Sequence, residues 1–194
     1  MGKEDKKDLE RCFVAIEFSD EVIKEIARVQ ELLSKIKFTG KLTELENLHL
    51  TLKFLGEIDD DKIKLVKERL GKIEFEKMKL KLGKIGTFSI RGKPKIVWIK
   101  IEGKEIHDLQ KKIDEKLADL FAPEERFMSH LTIARIKNVK DRKLFLGVLE
   151  KIRVPKIEYE IDRFYLMKSE LKPEGAEYGF LGSFCLDDLA KIKD

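Results

Sequence analysis

The apolar positions of this chain recur with two periods, and the switches between them mark its elements. Residues 11–18 alternate, with Cys12, Val14, Ile16 and Phe18 on one face and Arg11, Phe13, Ala15 and Glu17 on the other. That is the pattern of a half-buried strand. Beyond Ser19 or Asp20, either of which can cap, Val22, Ile23, Ile26, Val29, Leu33 and Ile36 fall at helical spacing. They predict a helix to about residue 37, with Gly40 in the loop beyond it. Alternation then returns: Leu48, Leu50, Leu52 and Phe54 form an apolar face, leaving His49, Thr51 and Lys53 together on a polar one. Asp59 opens a second helix that carries Ile63, Val66 and Leu70 and is closed by Gly71. Residues 77–84 alternate Met78, Leu80 and Leu82 with Lys77, Lys79 and Lys81, a strand with one wet face.

After a loop expected to hold Gly86, Gly92 and Pro94, the order restarts. Residues 95–101 read as a strand, and 103–121 as a helix that buries Ile106, Leu109, Ile113, Leu117 and Leu120. A strand over 127–135, a helix over 141–152 and a strand over 156–161 follow, and extended runs at 162–169 and 179–186 close the chain. Both halves therefore run strand, helix, His-Leu-Thr strand, helix, strand, with His49 and His130 lying 81 positions apart. Outside the motif the halves share little residue identity, so the repeat is one of architecture. It predicts an α+β fold that is bilobal, with two pseudo-twofold-related lobes, each having an antiparallel sheet and two helices, and an active-site cleft between them. The expected boundaries are a flexible N-terminus over 1–10 and a single domain over 11–194. Within that domain the repeats fall at about 11–85 and 95–161, with closing strands in 162–187.

Composition narrows the class. A chain of 194 residues suits one sizeable domain or two lobes that share a core. Charged residues reach 40%, yet 41 basic and 37 acidic side chains leave a net charge of only +4, compatible with a nucleic-acid ligand without requiring one. Interspersed Lys and Glu with two Asn and two Gln predict a heat-adapted source. The Lys77–Lys81 run reads as a solvated sheet face in preference to an RNA track. No run of about 18 apolar residues predicts a membrane span, and the charged opening, Met1 to Asp8, lacks the apolar core of a signal peptide. Cys12 and Cys185 lack CxxC spacing and read as buried free thiols of a reducing, cytoplasmic compartment.

The candidate chemistry lies in the two motifs. Residues two apart on a strand share a side, so each motif sets an imidazole beside a hydroxyl: His49 with Thr51, and His130 with Thr132. Facing each other, the units would offer one neutral imidazole to take a proton from water and one protonated imidazole to give a proton to a leaving alkoxide. The hydroxyls and a cation can hold the non-bridging oxygens of a phosphate ester. No metal or cofactor is needed, and no HExxH or cysteine ligand set accompanies the histidines. Arg135 is the nearest candidate cation, although its strand parity differs from that of His130, so it would need a strand end or a twist to reach in. Phe13 and Trp98 occupy equivalent places in the two halves, where either could stack on a base or pack at the seam between lobes. His107 lies on the polar side of a helix without a partner and reads as solvated.

At these residues the sequence resembles the 2H phosphoesterase superfamily, and more narrowly the RNA 2′,3′-cyclic phosphodiesterases, also called the 2′-5′ RNA ligase family. The matches are Arg11-Cys12-Phe13-Val14-Ala15-Ile16, His49-Leu50-Thr51-Leu52 leading into Phe54-Leu55-Gly56-Glu57, and His130-Leu131-Thr132-Ile133-Ala134-Arg135. The tail Ser169-Glu170-Leu171, with Gly175, Tyr178 and Ser183-Phe184, fits as well. The resemblance implies a bilobal fold that hydrolyses the 2′,3′-cyclic phosphate at an RNA 3′ end, of tRNA fragments or of nucleotides, to a 2′-phosphomonoester; a monomer is expected. It also implies His49 as proton donor to the departing 3′ oxygen, His130 as the base that activates water, and Thr51, Thr132 and Arg135 as phosphate contacts. Ser129 stands where many members have proline, an expected loosening of the approach to the second motif. Two rivals stand beside hydrolysis: the reverse displacement, joining RNA halves through a 2′,5′ linkage, and a non-catalytic RNA or nucleotide-binding module.

Overall fold

Two antiparallel sheets carry the chain in a computed structural model that describes residues 9–173 and 175–185. In order, the elements are β1 (Glu10–Glu17), α1 (Asp20–Ser34), β2 (Thr39–Leu42), a 3-10 turn (Leu45–Asn47), β3 (His49–Ile58) and α2 (Asp60–Leu70). Then come β4 (Met78–Ile90), β5 (Lys93–Glu102), α3 (Glu105–Lys116), β6 (His130–Asn138) and α4 (Arg142–Leu149). Strands β7 (Glu158–Ile161), β8 (Arg163–Leu171) and β9 (Ala176–Cys185) complete the list. One sheet has the order β3-β1-β8-β9 and the other β2-β6-β5-β4-β7. The expected α+β architecture is present, with four helices on two sheets among the described residues. The N-terminal stretch 1–8 and the end of the last closing strand at 186–187 lie outside the described residues.

The halves match as β1-α1-β3-α2 and β5-α3-β6-α4, but the expected boundary near residue 85 does not divide the sheets. Strand β4, assigned by sequence order to the first half, pairs with β5 and β7 in the second sheet. The first sheet is completed instead by the closing strands, β8 against β1 and β9 against β8. The 85–94 segment is also not a loop. Strand β4 runs on to Ile90 and turns at Arg91 and Gly92, both at positive φ, into β5. Gly86 is there because the Trp98 ring lies across it: a Cβ would fall 2.5 Å from Trp98 Cη2. Gly40 likewise sits within β2 on the second sheet's edge, pairing with Ile136, and α1 ends at Ser34.

Helix starts follow local chemistry. The Asp59 and Asp141 carboxylates each accept from a backbone N–H three residues on, at 2.9 Å, capping α2 and α4. Side chains of both sheets and all four helices, from Ile16, Leu50 and Phe164 to Ile99 and Leu131, form one continuous apolar core. The lysines of β4 are a solvated face, as expected: Lys77 meets Glu160 at 3.3 Å, and Lys79 and Lys81 meet Glu158 at 3.6 and 2.9 Å, across to β7. Cys12 is buried, whereas Cys185 is only half-buried at the end of β9, because that strand is the sheet's edge. Among the described residues, no helix is long and apolar enough to cross a membrane.

Both histidine strands carry a β-bulge three residues past the histidine. Ala15 pairs with Thr51 and Val14 with Lys53, leaving Leu52 extra, while Trp98 pairs with Thr132 and Val97 with Ala134, leaving Ile133 extra. A bulge inverts the side-chain alternation beyond it. Lys53 therefore does not share a face with His49 and Thr51. It turns to the interior, 3% exposed, and pairs with Asp114 of α3, 12% exposed, while also donating to Ala122 O at 2.7 Å. Phe54, expected in the core, turns out of it at 65% exposure.

Each bulge is pinned from the other lobe. Gln30 of α1 donates to the Ile133 carbonyl of β6 at 2.9 Å, beside the Thr43 N–H at 3.0 Å, and Asp114 of α3 holds Lys53 of β3. Asp114 also accepts from Gln110 Nε2 at 2.7 Å and from the Glu124 N–H at 3.0 Å. Burial acts to raise the Asp114 pKa, but the bonds from Lys53, Glu124 and Gln110 outweigh it and hold the carboxyl below its ordinary range. Asp114→Ala would leave the Lys53 ammonium buried and unpaired, and should lower the unfolding free energy by roughly 3 kcal/mol in urea melts at pH 7. Lys53→Met combined with Asp114→Leu should recover most of that loss, giving a clear coupling in the double-mutant cycle. Because the folded pKa is depressed, the pair's contribution is complete above about pH 5 and fades as pH falls through the folded value.

Candidate active site

The two histidine strands face one cavity of about 940 Å³ between the sheets, lined by His49, Thr51, His130 and Thr132 among others. The imidazoles are held in the same way. His49 Nδ1 donates to Asn47 O at 2.9 Å, and His130 Nδ1 donates to Met128 O at 2.6 Å. A carbonyl can only accept, so each Nδ1 carries its proton, and Nε2 is the nitrogen that titrates in both rings. The approach to the second motif is tight: Ser129 is fully buried, donates its hydroxyl to Ile101 O at 2.7 Å and accepts from Ile101 N through its own carbonyl. The loosening expected from a serine in place of proline is therefore absent, because the hydroxyl supplies a bond that proline could not.

Desolvation dominates the electrostatics of both rings. Burial pushes the His49 pKa below the ordinary 6.5, the Arg135 and His130 charges push the same way, and the Asn47 carbonyl opposes them. Burial also lowers His130, with Lys100 adding to the effect and the Met128 carbonyl opposing it. Lys100 is the cross-strand partner of His130.

The bulge at Ile133 places Arg135 on the histidine's side of the strand, which strict alternation did not allow. Arg135 lines the cavity, and among the described residues no carboxylate pairs with its guanidinium. Its counterpart in the first motif, also five residues past the histidine, is Phe54, which lines the cavity at its exposed side. The sites are thus symmetric in imidazole and hydroxyl but asymmetric beyond them, with a cation in one half and an aromatic ring in the other. Arg11 and Arg126 add positive charge to the lining, and Lys41 and Lys172 sit there paired with Glu44 and Glu177.

Phe13 and Trp98 prove unequal. Phe13 is 3% exposed and packs under His49, with ring centroids 4.9 Å apart. Trp98 is absent from the cavity lining and lies beneath Phe88, 5.5 Å away. Phe88 is the ring that meets His130 edge-on, at 5.0 Å. Tyr178 of β9 meets His49 the same way at 5.0 Å, and burial raises its hydroxyl pKa. Each catalytic candidate is therefore backed by an aromatic edge. Sequence reading missed Phe88 because the β4 extension looked like a loop, and missed Phe54 because the bulge was invisible. Its parity with Gly86, two residues before it on a strand, is the signal that could have found Phe88. His107 stays on the surface, against Phe127 at 5.2 Å.

Known proteins resemble this chain over most of its length. The sequence model of the LigT-like phosphoesterases matches residues 16–98 and 99–178, with one histidine motif in each stretch. An RNA 2′,3′-cyclic phosphodiesterase of Methanocaldococcus jannaschii is 37% identical over 171 residues, spanning 87% of this chain and 96% of its own. A protein of the same name from Thermotoga maritima is 34% identical over 177 residues, spanning 88% and 92%. Among solved structures, a protein of Thermus thermophilus superimposes with a TM-score of 0.75 at 26% identity, covering 91% of this chain and 97% of that one. Escherichia coli LigT complexed with 3′-AMP shares the fold, with a TM-score of 0.73 at 22% identity and coverage of 92% and 98%. With both histidine motifs inside matches that span most of the chain, this protein belongs to the LigT-like phosphoesterase family.

Proposed function

We propose that the protein hydrolyses the 2′,3′-cyclic phosphate at RNA 3′ ends to a 2′-phosphomonoester, using two histidines and no metal. The observation that carries this reading is the pair of imidazoles facing one cavity, each with Nδ1 tied to a backbone carbonyl and Nε2 left to exchange a proton. Relatives named RNA 2′,3′-cyclic phosphodiesterase at 37% and 34% identity support the substrate class.

In the proposed step, His130 Nε2 takes a proton from water as the water oxygen bonds to phosphorus. The bond from phosphorus to the 3′ oxygen breaks, and His49 Nε2 gives that oxygen its proton. Thr51 and Thr132 donate to the non-bridging oxygens, and Arg135 balances the charge that grows on them. The desolvated cavity strengthens each of these interactions. In the first half the exposed Phe54 ring offers a face for the terminal base.

Removing either imidazole, as His49→Ala or His130→Ala, should lower kcat by roughly 10² to 10⁴ on an oligonucleotide with a cyclic phosphate end. Near-normal turnover by either variant would overturn the assignment, and product mapping should give the 2′-monoester. The same assay, supplied with RNA halves bearing a 5′-hydroxyl, reads any 2′,5′ joining. Turnover should survive a strong chelator.

The pH profile has a definite sign. The active form holds one imidazolium and one imidazole, so activity rises through the lower of the two pKa values and falls through the upper one. Burial depresses both groups, so kcat/KM of the free enzyme should peak below pH 6.5. The bound phosphate favours the imidazolium, so the kcat profile should shift to higher pH. A kcat/KM maximum well above pH 7 would contradict the proposed pair.

A further inference from the structure

Positive charge on this molecule is unevenly matched. Lys77, Lys79 and Lys81 are neutralised by Glu158 and Glu160, but every charged residue between 84 and 100 is basic. Between 126 and 143 the only acidic residue is Asp141, whose Oδ1 already accepts from the Leu144 N–H as a helix cap. These two stretches meet in space. Ile96 of β5 pairs with Arg135 of β6, and Lys95 Nζ donates to Lys137 O at 3.2 Å. At the β4–β5 turn, a Cβ on Gly92 would lie 3.1 Å from Arg142 Nη1, which places the turn against the start of α4. The result is a row of cations, Arg135, Lys137, Lys95, Lys93 and Arg142, that starts inside the cavity and runs out along the second sheet to the hairpin tip. Among the described residues, no carboxylate pairs with any of them. In a chain whose net charge is only +4, such a concentration marks a surface for a polyanion.

We propose that this row is a track for the phosphodiester backbone of single-stranded RNA on the 5′ side of the reacting end, so that the preferred substrate is an oligonucleotide and not a mononucleotide. The inference rests on the cyclic-phosphodiesterase reading above and names its substrate more closely. Continuity favours a strand that ends in the cleft: Arg135 lines the cavity, and exposed Lys137 follows about 7 Å further along β6 at the usual strand rise. The exposed Ile90 at the hairpin tip and Phe54 at the cavity mouth add apolar surface on which unpaired bases can rest. A lysine and arginine row without matching acids provides affinity that depends on salt and not on sequence.

The test uses a triple variant, Lys93→Gln, Lys137→Gln and Arg142→Gln, none of them among the groups assigned to catalysis. Its substrates are a decanucleotide ending in a 2′,3′-cyclic phosphate and a mononucleoside 2′,3′-cyclic phosphate. For the decanucleotide, KM should rise roughly tenfold and the slope of log affinity against log salt should flatten by about 2, while kcat holds. For the mononucleoside, both constants should match the wild type, which also certifies that the variant is folded. Binding of a labelled decanucleotide with a plain 3′-hydroxyl, followed by fluorescence anisotropy, separates the two claims. If wild type and variant bind it with equal Kd and equal salt slope, the track is overturned, whatever the hydrolysis shows. If neither cyclic substrate is opened but the variant still loses binding and slope, the catalytic reading fails and the track stands.

Discussion

The site depends on one backbone irregularity used twice. A regular strand would place every second residue on the cavity side, so a histidine at one position could share its face with residues two and four further on, never five. The extra residue in each motif, Leu52 and Ile133, breaks that arithmetic. It lets a strand present imidazole, hydroxyl and then the fifth residue to the same space, while the residue just before the fifth turns inward. An unpaired bulge carbonyl or an inward lysine would be costly if left alone. Thr43 N–H and Gln30 both donate to the Ile133 carbonyl and Asp114 pairs with Lys53, so two of the molecule's well-buried polar contacts lie directly behind its catalytic candidates.

On this symmetric frame the chain places unlike chemistry. The backbone treats the two imidazoles alike, down to the carbonyl two residues earlier that fixes the tautomer. What differs is the company each keeps: Phe13 and Tyr178 around His49, and Phe88 with Lys100 around His130. Unequal environments are what allow two chemically identical groups to take opposite parts in one proton relay.

Much of this was legible in the sequence, for physical reasons. Periodicity finds elements wherever one face is buried, which is why β1, α1, α2 and the two histidine strands stand near their expected places. The repeat order and the pairing of His49 with His130 followed from the same signal. Strand partnership was not legible, since β4 and the closing strands alternate equally well in either sheet, and only the packed core decides between them. Parity failed at Lys53, Phe54 and Arg135, because a bulge is one residue of backbone with no composition of its own. Gly86 was misread for a related reason: a glycine that admits a tryptophan ring looks, in sequence, the same as one that breaks a strand.

The anchors behind the bulges also belong to different lobes. Helix α1 follows β1 of the first sheet yet grips β6 of the second, and α3 follows β5 of the second sheet yet grips β3 of the first. The lobes are cross-braced, like two frames tied by opposing diagonals. Swinging them apart would strain both ties at once and would tear a buried ion pair, so folding itself resists their separation.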